Sequence, residues 1–218
     1  YCAAAVMKLV DEGKVSLDAP VVSYLPEFKM LDQRYKNITV RMLLNHSSGI
    51  PGTSYTIGMS YGQYDTEMYK KVYDSMLKSS LKADPGKFSV YCNDGFMLAE
   101  MLVAKVSGKT YSEFVRENIF VPIGAASSGF ADRKFAPGSY AVEGTRPHEF
   151  LNVMGSGGVS TNLVDLCRFG QIFLNRGQGV ISPKSIDEMI SYQGKTFIPD
   201  DNYSVKYGLG WDSVDNTF

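Results

Sequence analysis

Tyr91 and Asn93 stand two positions apart in FSVYCNDGFMLAEML, the stretch from Phe88 to Leu102, just ahead of a long apolar segment. Side chains alternate faces along an extended chain, so residues i and i+2 project the same way. A phenol and a carboxamide can then converge on one bound molecule. The same residues suit a purely structural part. The side-chain oxygen of Asn93 or Asp94 can accept a free first-turn N–H and cap the helix that follows, and Tyr91 can be a packed aromatic.

Other spacings invite chemistry and are weaker on inspection. GMSYG, Gly58 to Gly62, fits G-x-S-x-G with Ser60 as nucleophile, and Asp132 and His148 would complete a triad in hydrolase order. That motif needs a buried strand running straight into a helix, whereas TSYTI is short and polar and the next helix starts several residues late. Ser75 with Lys78 and Ser79 with Lys82 are Ser-x-x-Lys matches, placed one helical turn apart so that an amine could reach a hydroxyl. Both lie in a lysine-rich, hydrophilic stretch, where nothing would desolvate the lysine and depress its pKa. GKT at Gly108 to Thr110 lacks the first glycine of a phosphate loop and follows a helix where a strand is required. His46 and His148 are the only histidines, too few and too distant for a metal site. His46 reads as a hydrogen-bonded structural residue. GSGGVST, Gly155 to Thr161, either cradles an anion or lets backbone pass close to a ligand or strand.

Helices must position most of these groups. YCAAAVMKLVDEG predicts a helix from its first residue, with Val6, Leu9 and Val10 on one face and Gly13 as its stop. Asp18 with Pro20, and then Thr39 with Gly49, predict two more. Residues 50–64 read as a surface loop. Met68, Val72, Tyr73, Met76 and Leu77 share one face of a helix from Thr66 to Leu77. Further helices are predicted over Gly95 to Ser107, Ser112 to Ile119, Thr161 to Asn175 and Ser182 to Tyr192. YSVKYGLGWDSVDNTF has strand composition with no partner strand after it. The first helix has no capping residue before it, so the chain reads as cut at both ends.

The 218 residues can bury a substantial core, and no repeat or low-complexity tract divides them. Lys and Arg number 22 against 23 Asp and Glu, which gives no electrostatic case for nucleic acid or an anionic membrane. A small-molecule or peptide substrate is the expected partner. The longest apolar runs fall far short of the ~20 residues that span a bilayer. Cys2, Cys92 and Cys167 are odd in number and widely spaced, forming neither a disulfide framework nor a metal cluster, and read as buried fillers.

Four segments, taken in order, resemble one family: the penicillin-recognising serine hydrolases, in the branch of class C β-lactamases, D-alanyl-D-alanine peptidases and related esterases. AAAVMKLVDEGKVSLDAPVVSYLPEF is similar to the helix and turn after the family's nucleophile, and ITVRMLLNHSSGI resembles its LLxHtSGl signature. PGKFSVYCNDGFMLAEMLVAKVSGKTYSEFVRENIFVPIG resembles the Tyr-x-Asn motif, its trailing helix and its Pro-Leu-Gly turn, with Ile123 in place of Leu. GSGGVSTNLVDLCRFGQIFL resembles the glycine-rich wall and the helix behind it.

The resemblance implies an α/β fold of the β-lactamase/transpeptidase-like kind, here mostly the helical domain plus part of the α/β domain. It makes Tyr91 the phenol that shares protons with a serine nucleophile and the leaving group. Asn93 would orient a lysine and the substrate amide, and Gly157 and Gly158 would line the substrate. A phenol of ordinary pKa near ~10 needs a nearby ammonium to bring it toward neutrality. Cys92 stands where the family often has Ser or Ala. The family's Ser-x-x-Lys is expected upstream of Tyr1 and its third motif beyond Phe218, because QGKTF at Gln193 to Phe197 lacks that motif's glycine. Residues 1–218 are thus expected to be a partial catalytic domain of a serine hydrolase acting on amides or esters through an acyl-enzyme, without metal or organic cofactor. The competing class is a penicillin- or peptidoglycan-recognising module without turnover, or an inactive fragment of the same fold. By resemblance the protein belongs at the cell envelope or outside the cytoplasm, and a cytoplasmic location is also compatible.

Overall fold

The computed structural model describes residues 1–52, 54–61, 65–130, 149–177, 179–193 and 205–214. Among them are seven helices and three separate two-stranded antiparallel sheets. The core is built around two helices, α1 (Cys2–Asp11) and α4 (Asn93–Ser107), the latter also packed on α2 (Val40–Leu44). Ala3, Ala4 and Ala5 are all buried, and small side chains let helix axes approach closely. Met97, Leu98, Ala99, Met101, Leu102 and Val103 bury nearly every face of α4, as expected of an interior helix. Gly108 takes φ +71° after its last turn, a left-handed stop that glycine adopts without strain. A capping box of Thr110 and Glu113 then starts α5 (Tyr111–Val115), which runs into a π turn over Arg116–Phe120.

The outer elements lean on this pair. In α3 (Met68–Met76) the buried residues are Met68, Val72 and Met76, one stripe at i, i+4 and i+8. Helix α6 (Leu163–Leu174) is followed by α7 (Pro183–Ile190), whose first turn holds Pro183 and whose cap is Ser182. Asp11, at the end of α1, accepts bonds from the Ser182 N–H at 2.6 Å and the Ser185 hydroxyl at 2.6 Å. A carboxylate there satisfies free donors at the positive end of α7 and pins that helix to α1. Strand β1 (Met59–Tyr61) pairs with β3 (Glu149–Leu151), with Ser60 opposite Phe150. Strand β2 (Gly129–Phe130) pairs with β4 (Val159–Ser160), and β5 (Val205–Tyr207) with β6 (Asp212–Val214).

Several local expectations change. Asp18 caps no helix: its carboxylate is held by Arg41 at 2.7 Å, and only a 3-10 turn forms at Val21–Ser23. The predicted loop 50–64 contains a 3-10 turn at Tyr55–Gly58 and strand β1, with residues 53 and 62–64 outside the described set. Asn162, not Thr161, caps α6, its side-chain oxygen accepting the Asp165 N–H at 2.8 Å. The last two strands find their partner in each other. Cys167 is exposed, unlike Cys2 and Cys92, because it sits on the outer face of α6. No helix among the described residues is long and apolar enough to cross a membrane.

Candidate active site

The positions of Tyr91 and Asn93 follow from the residue between them. Cys92 is extended, with φ −151° and ψ 109°, and is the residue just before α4. Its side chain is buried, with Sγ 3.5 Å from the Ile50 carbonyl oxygen, so its two neighbours face the other way. The Tyr91 hydroxyl donates to Asn93 Oδ1 at 3.1 Å. Neither Asn93 nor Asp94 is the cap. Asn93 already lies in the first turn, its oxygen is turned to Tyr91, and no side chain caps this helix. Asp94 instead accepts the Ser54 N–H at 3.2 Å.

His46 holds this extended segment in place. Its carbonyl accepts the Val90 N–H at 2.9 Å and its Nδ1 accepts the Cys92 N–H at 3.0 Å, so one residue grips both sides of Tyr91. It does so from a left-handed conformation, φ +60°, where the chain turns out of α2. The imidazole lies 4.7 Å from the Tyr91 ring and 4.9 Å from that of Tyr207. Burial pushes its pKa down to about 4. His46 is therefore neutral near pH 7, and because Nδ1 accepts, Nε2 carries the proton. Nε2 is 3.9 Å from Asp212 Oδ1, whose carboxyl is itself raised by partial burial.

Tyr91, Asn93 and His46 share a cavity of about 580 Å³ with Gly155, Ser156 and Gly157. That volume suits a small molecule or the end of a peptide. Aromatic rings from α6 and the β5–β6 hairpin, Phe169, Phe173 and Trp211, form its apolar side. Gly155 cannot be another residue without movement, since a Cβ would lie 2.6 Å from the Phe96 carbonyl oxygen. Gly157 lines the cavity. Gly158 does not: a Cβ there would meet Met154 Cα at 2.9 Å, so this glycine serves close packing of the turn.

The competing motifs are not assembled in the same way. Ser60 lies in β1, hydrogen-bonded by the Asn152 side-chain amide at 2.8 Å, and the next helix begins only at Met68. Among the described residues no strand runs straight into a helix at Ser60, and Asp132 and His148 fall outside the described residues. The Ser75 hydroxyl meets that of Ser54 at 3.2 Å and the Ser79 hydroxyl donates to the Ser75 carbonyl at 3.1 Å, while Lys78 and Lys82 point to solvent. Among the described residues no group of three or more His, Cys, Asp or Glu could hold a metal ion. The part played by His46 in the cavity wall was not visible in the sequence, nor were those of Trp211 and Asp212. LLNHSSG lies some 45 positions before Tyr91, and no spacing rule links the two.

Comparison with known proteins agrees with the fold. An octameric penicillin-binding protein homologue from Pyrococcus abyssi is 29% identical, with a TM-score of 0.71 over 96% of this chain and 50% of its own. D-amino acid amidase from Ochrobactrum anthropi SV3, complexed with L-phenylalanine, is 25% identical, with a TM-score of 0.76 over 97% of this chain and 62% of its own. Penicillin-binding protein 4* of Bacillus subtilis is 24% identical over 239 residues, 97% of this chain and 49% of that protein. The fold is β-lactamase/transpeptidase-like, a mixed α/β architecture. The family model described as Beta-lactamase matches residues 1–218, and the chain belongs to that family. It spans about half the length of the curated relatives it matches.

Proposed function

We propose that these residues form part of the catalytic domain of a serine hydrolase that cleaves amide or ester bonds through an acyl-enzyme. The observation that carries this reading is the Tyr91 hydroxyl bonded to Asn93 Oδ1 at the edge of a cavity faced by the Gly155–Gly157 backbone. In this reading a serine and lysine of the Ser-x-x-Lys type come from sequence outside the 218 residues, as the family resemblance implies. With the Tyr91 hydroxyl first ionised, its proton released to solvent and the phenolate held by the ammonium of that lysine, the serine oxygen bonds to the substrate carbonyl carbon and its proton passes to the Tyr91 oxygen. Tyr91 returns that proton to the leaving nitrogen or oxygen as the C–N or C–O bond breaks. Water then attacks the acyl carbon, its proton goes to the serine oxygen through the same phenol, and a carboxylic acid leaves. Asn93 fixes the direction of the phenol and can hydrogen-bond the substrate amide. His46 stays neutral and takes no proton in this cycle.

β-Lactams, D-alanyl peptides, D-amino acid amides and simple esters all meet the chemical requirement. The test is to incubate the full-length protein with a chromogenic cephalosporin, a D-amino acid amide and a p-nitrophenyl ester. Turnover of any of them, with an acyl group trapped on one serine, supports the reading. Stoichiometric labelling by a penicillin without turnover identifies a recognition module instead, and no adduct and no turnover refutes both.

A further inference from the structure

A buried carboxylate outside the Tyr91–Asn93 pair meets the glycine segment that lines the same cavity. Glu100 is fully buried, 0% exposed, on α4. It stands seven positions after Asn93 and four after Phe96, so all three project from one face of that helix. Its Oε2 accepts the Gly155 N–H at 2.6 Å, and its Oε1 accepts the Tyr69 hydroxyl at 2.7 Å. Gly155 is pressed against the same face. A Cβ on it would lie 2.8 Å from Glu100 Cβ and 2.6 Å from the Phe96 carbonyl oxygen.

A buried carboxylate is expensive to desolvate and is retained where it meets donors that an apolar side chain could not satisfy. Here the donor is the backbone of the glycine wall. We infer that Glu100 is a positioning residue for substrate binding: it ties the Gly155–Gly157 wall to the helix that carries Asn93, with Tyr69 holding the carboxylate's other oxygen in register. The distance between the proton-transfer side of the cavity and its backbone side is thereby set by one helix. Glu100 is not itself one of the residues that line the cavity.

The inference rests on the hydrolase reading above, and the experiment separates the two. In the full-length protein Glu100→Ala leaves the Gly155 N–H without its acceptor. A displacement of about 1 Å in such a wall costs on the order of 10²-fold in kcat/KM. The loss is expected mainly in KM, because the wall meets substrate in ground and transition states alike. Glu100→Gln restores most of it, since its amide oxygen still accepts the Gly155 N–H while its NH₂ turns to the Tyr69 oxygen. Amide hydrogen exchange at Gly155, read without any substrate, should accelerate in Glu100→Ala and stay near wild type in Glu100→Gln. Unchanged Gly155 protection in Glu100→Ala overturns the inference, as does a lowered melting temperature with KM intact. If the wild-type protein turns over nothing, the hydrolase reading fails, and the Gly155 exchange result alone decides whether Glu100 holds the wall.

Discussion

Lowering the pH should weaken this protein through His46, and the size of the effect follows from its burial. Its folded pKa of about 4 lies below the ordinary 6.5, so the unfolded chain takes up a proton that the folded one refuses. Stability from this group is complete above about pH 6.5, falls between 6.5 and 4, and is fully lost below. The 2.5-unit gap corresponds to about 3 kcal/mol, of which about 2.5 kcal/mol is gone by pH 4.5. Asp94 and Asp212 act in the opposite direction, because burial raises their carboxyls and the folded state binds those protons more tightly. The comparison therefore needs a control. His46→Asn tolerates the left-handed φ of +60° and offers an amide oxygen to the Cys92 N–H, but does not titrate. Urea unfolding of both proteins from pH 7.5 to 4.5 should show wild type losing about 2.5 kcal/mol more than His46→Asn. Equal losses in the two would refute the argument that the imidazole is held neutral by burial.

Three further outcomes are expected. Gly155→Ala forces a Cβ into the Phe96 carbonyl and should cost about 1–3 kcal/mol in chemical denaturation, with slowed acylation in the full-length protein. Thr110→Ala, at a residue that does not itself line the cavity, removes the capping box of α5 and should cost about 1 kcal/mol with unchanged acylation per folded molecule. Ser60→Ala and Ser75→Ala in the full-length protein should each keep full turnover. A loss in either would promote the G-x-S-x-G or the Ser-x-x-Lys match over the Tyr91 reading.

What could be read from the sequence was what depends on near neighbours. The ends of α4 and α7 were legible because Gly108 and Ser182–Pro183 are local signals, and the Met68, Val72, Met76 stripe because it is periodic. Strand β1 was not, since its partner lies some 90 residues on and its three residues are too few to show an alternating pattern. Asp18 looked like a helix cap because capping chemistry is short-range, whereas the structure commits its carboxylate to Arg41, 23 positions away. The convergence of Tyr91 with Asn93 needed only the alternation of an extended chain. The grip of His46 on Cys92, 46 residues later, and of Glu100 on Gly155, 55 residues later, exists only in the folded molecule.

The acylation rate of Tyr91→Phe in the full-length protein tests the central claim most directly. The substitution deletes one half-exposed hydroxyl and its bond to Asn93, so stability should change by about 1 kcal/mol or less. Mass spectrometry of the intact protein, sampled over time with excess penicillin or activated ester, counts the covalent adduct. Loss of the proton-transfer group predicts an adduct that forms about 10²–10⁴ times more slowly than in wild type, on the same serine. An adduct formed at the wild-type rate by Tyr91→Phe would contradict the account and leave Tyr91 as a packed aromatic ring.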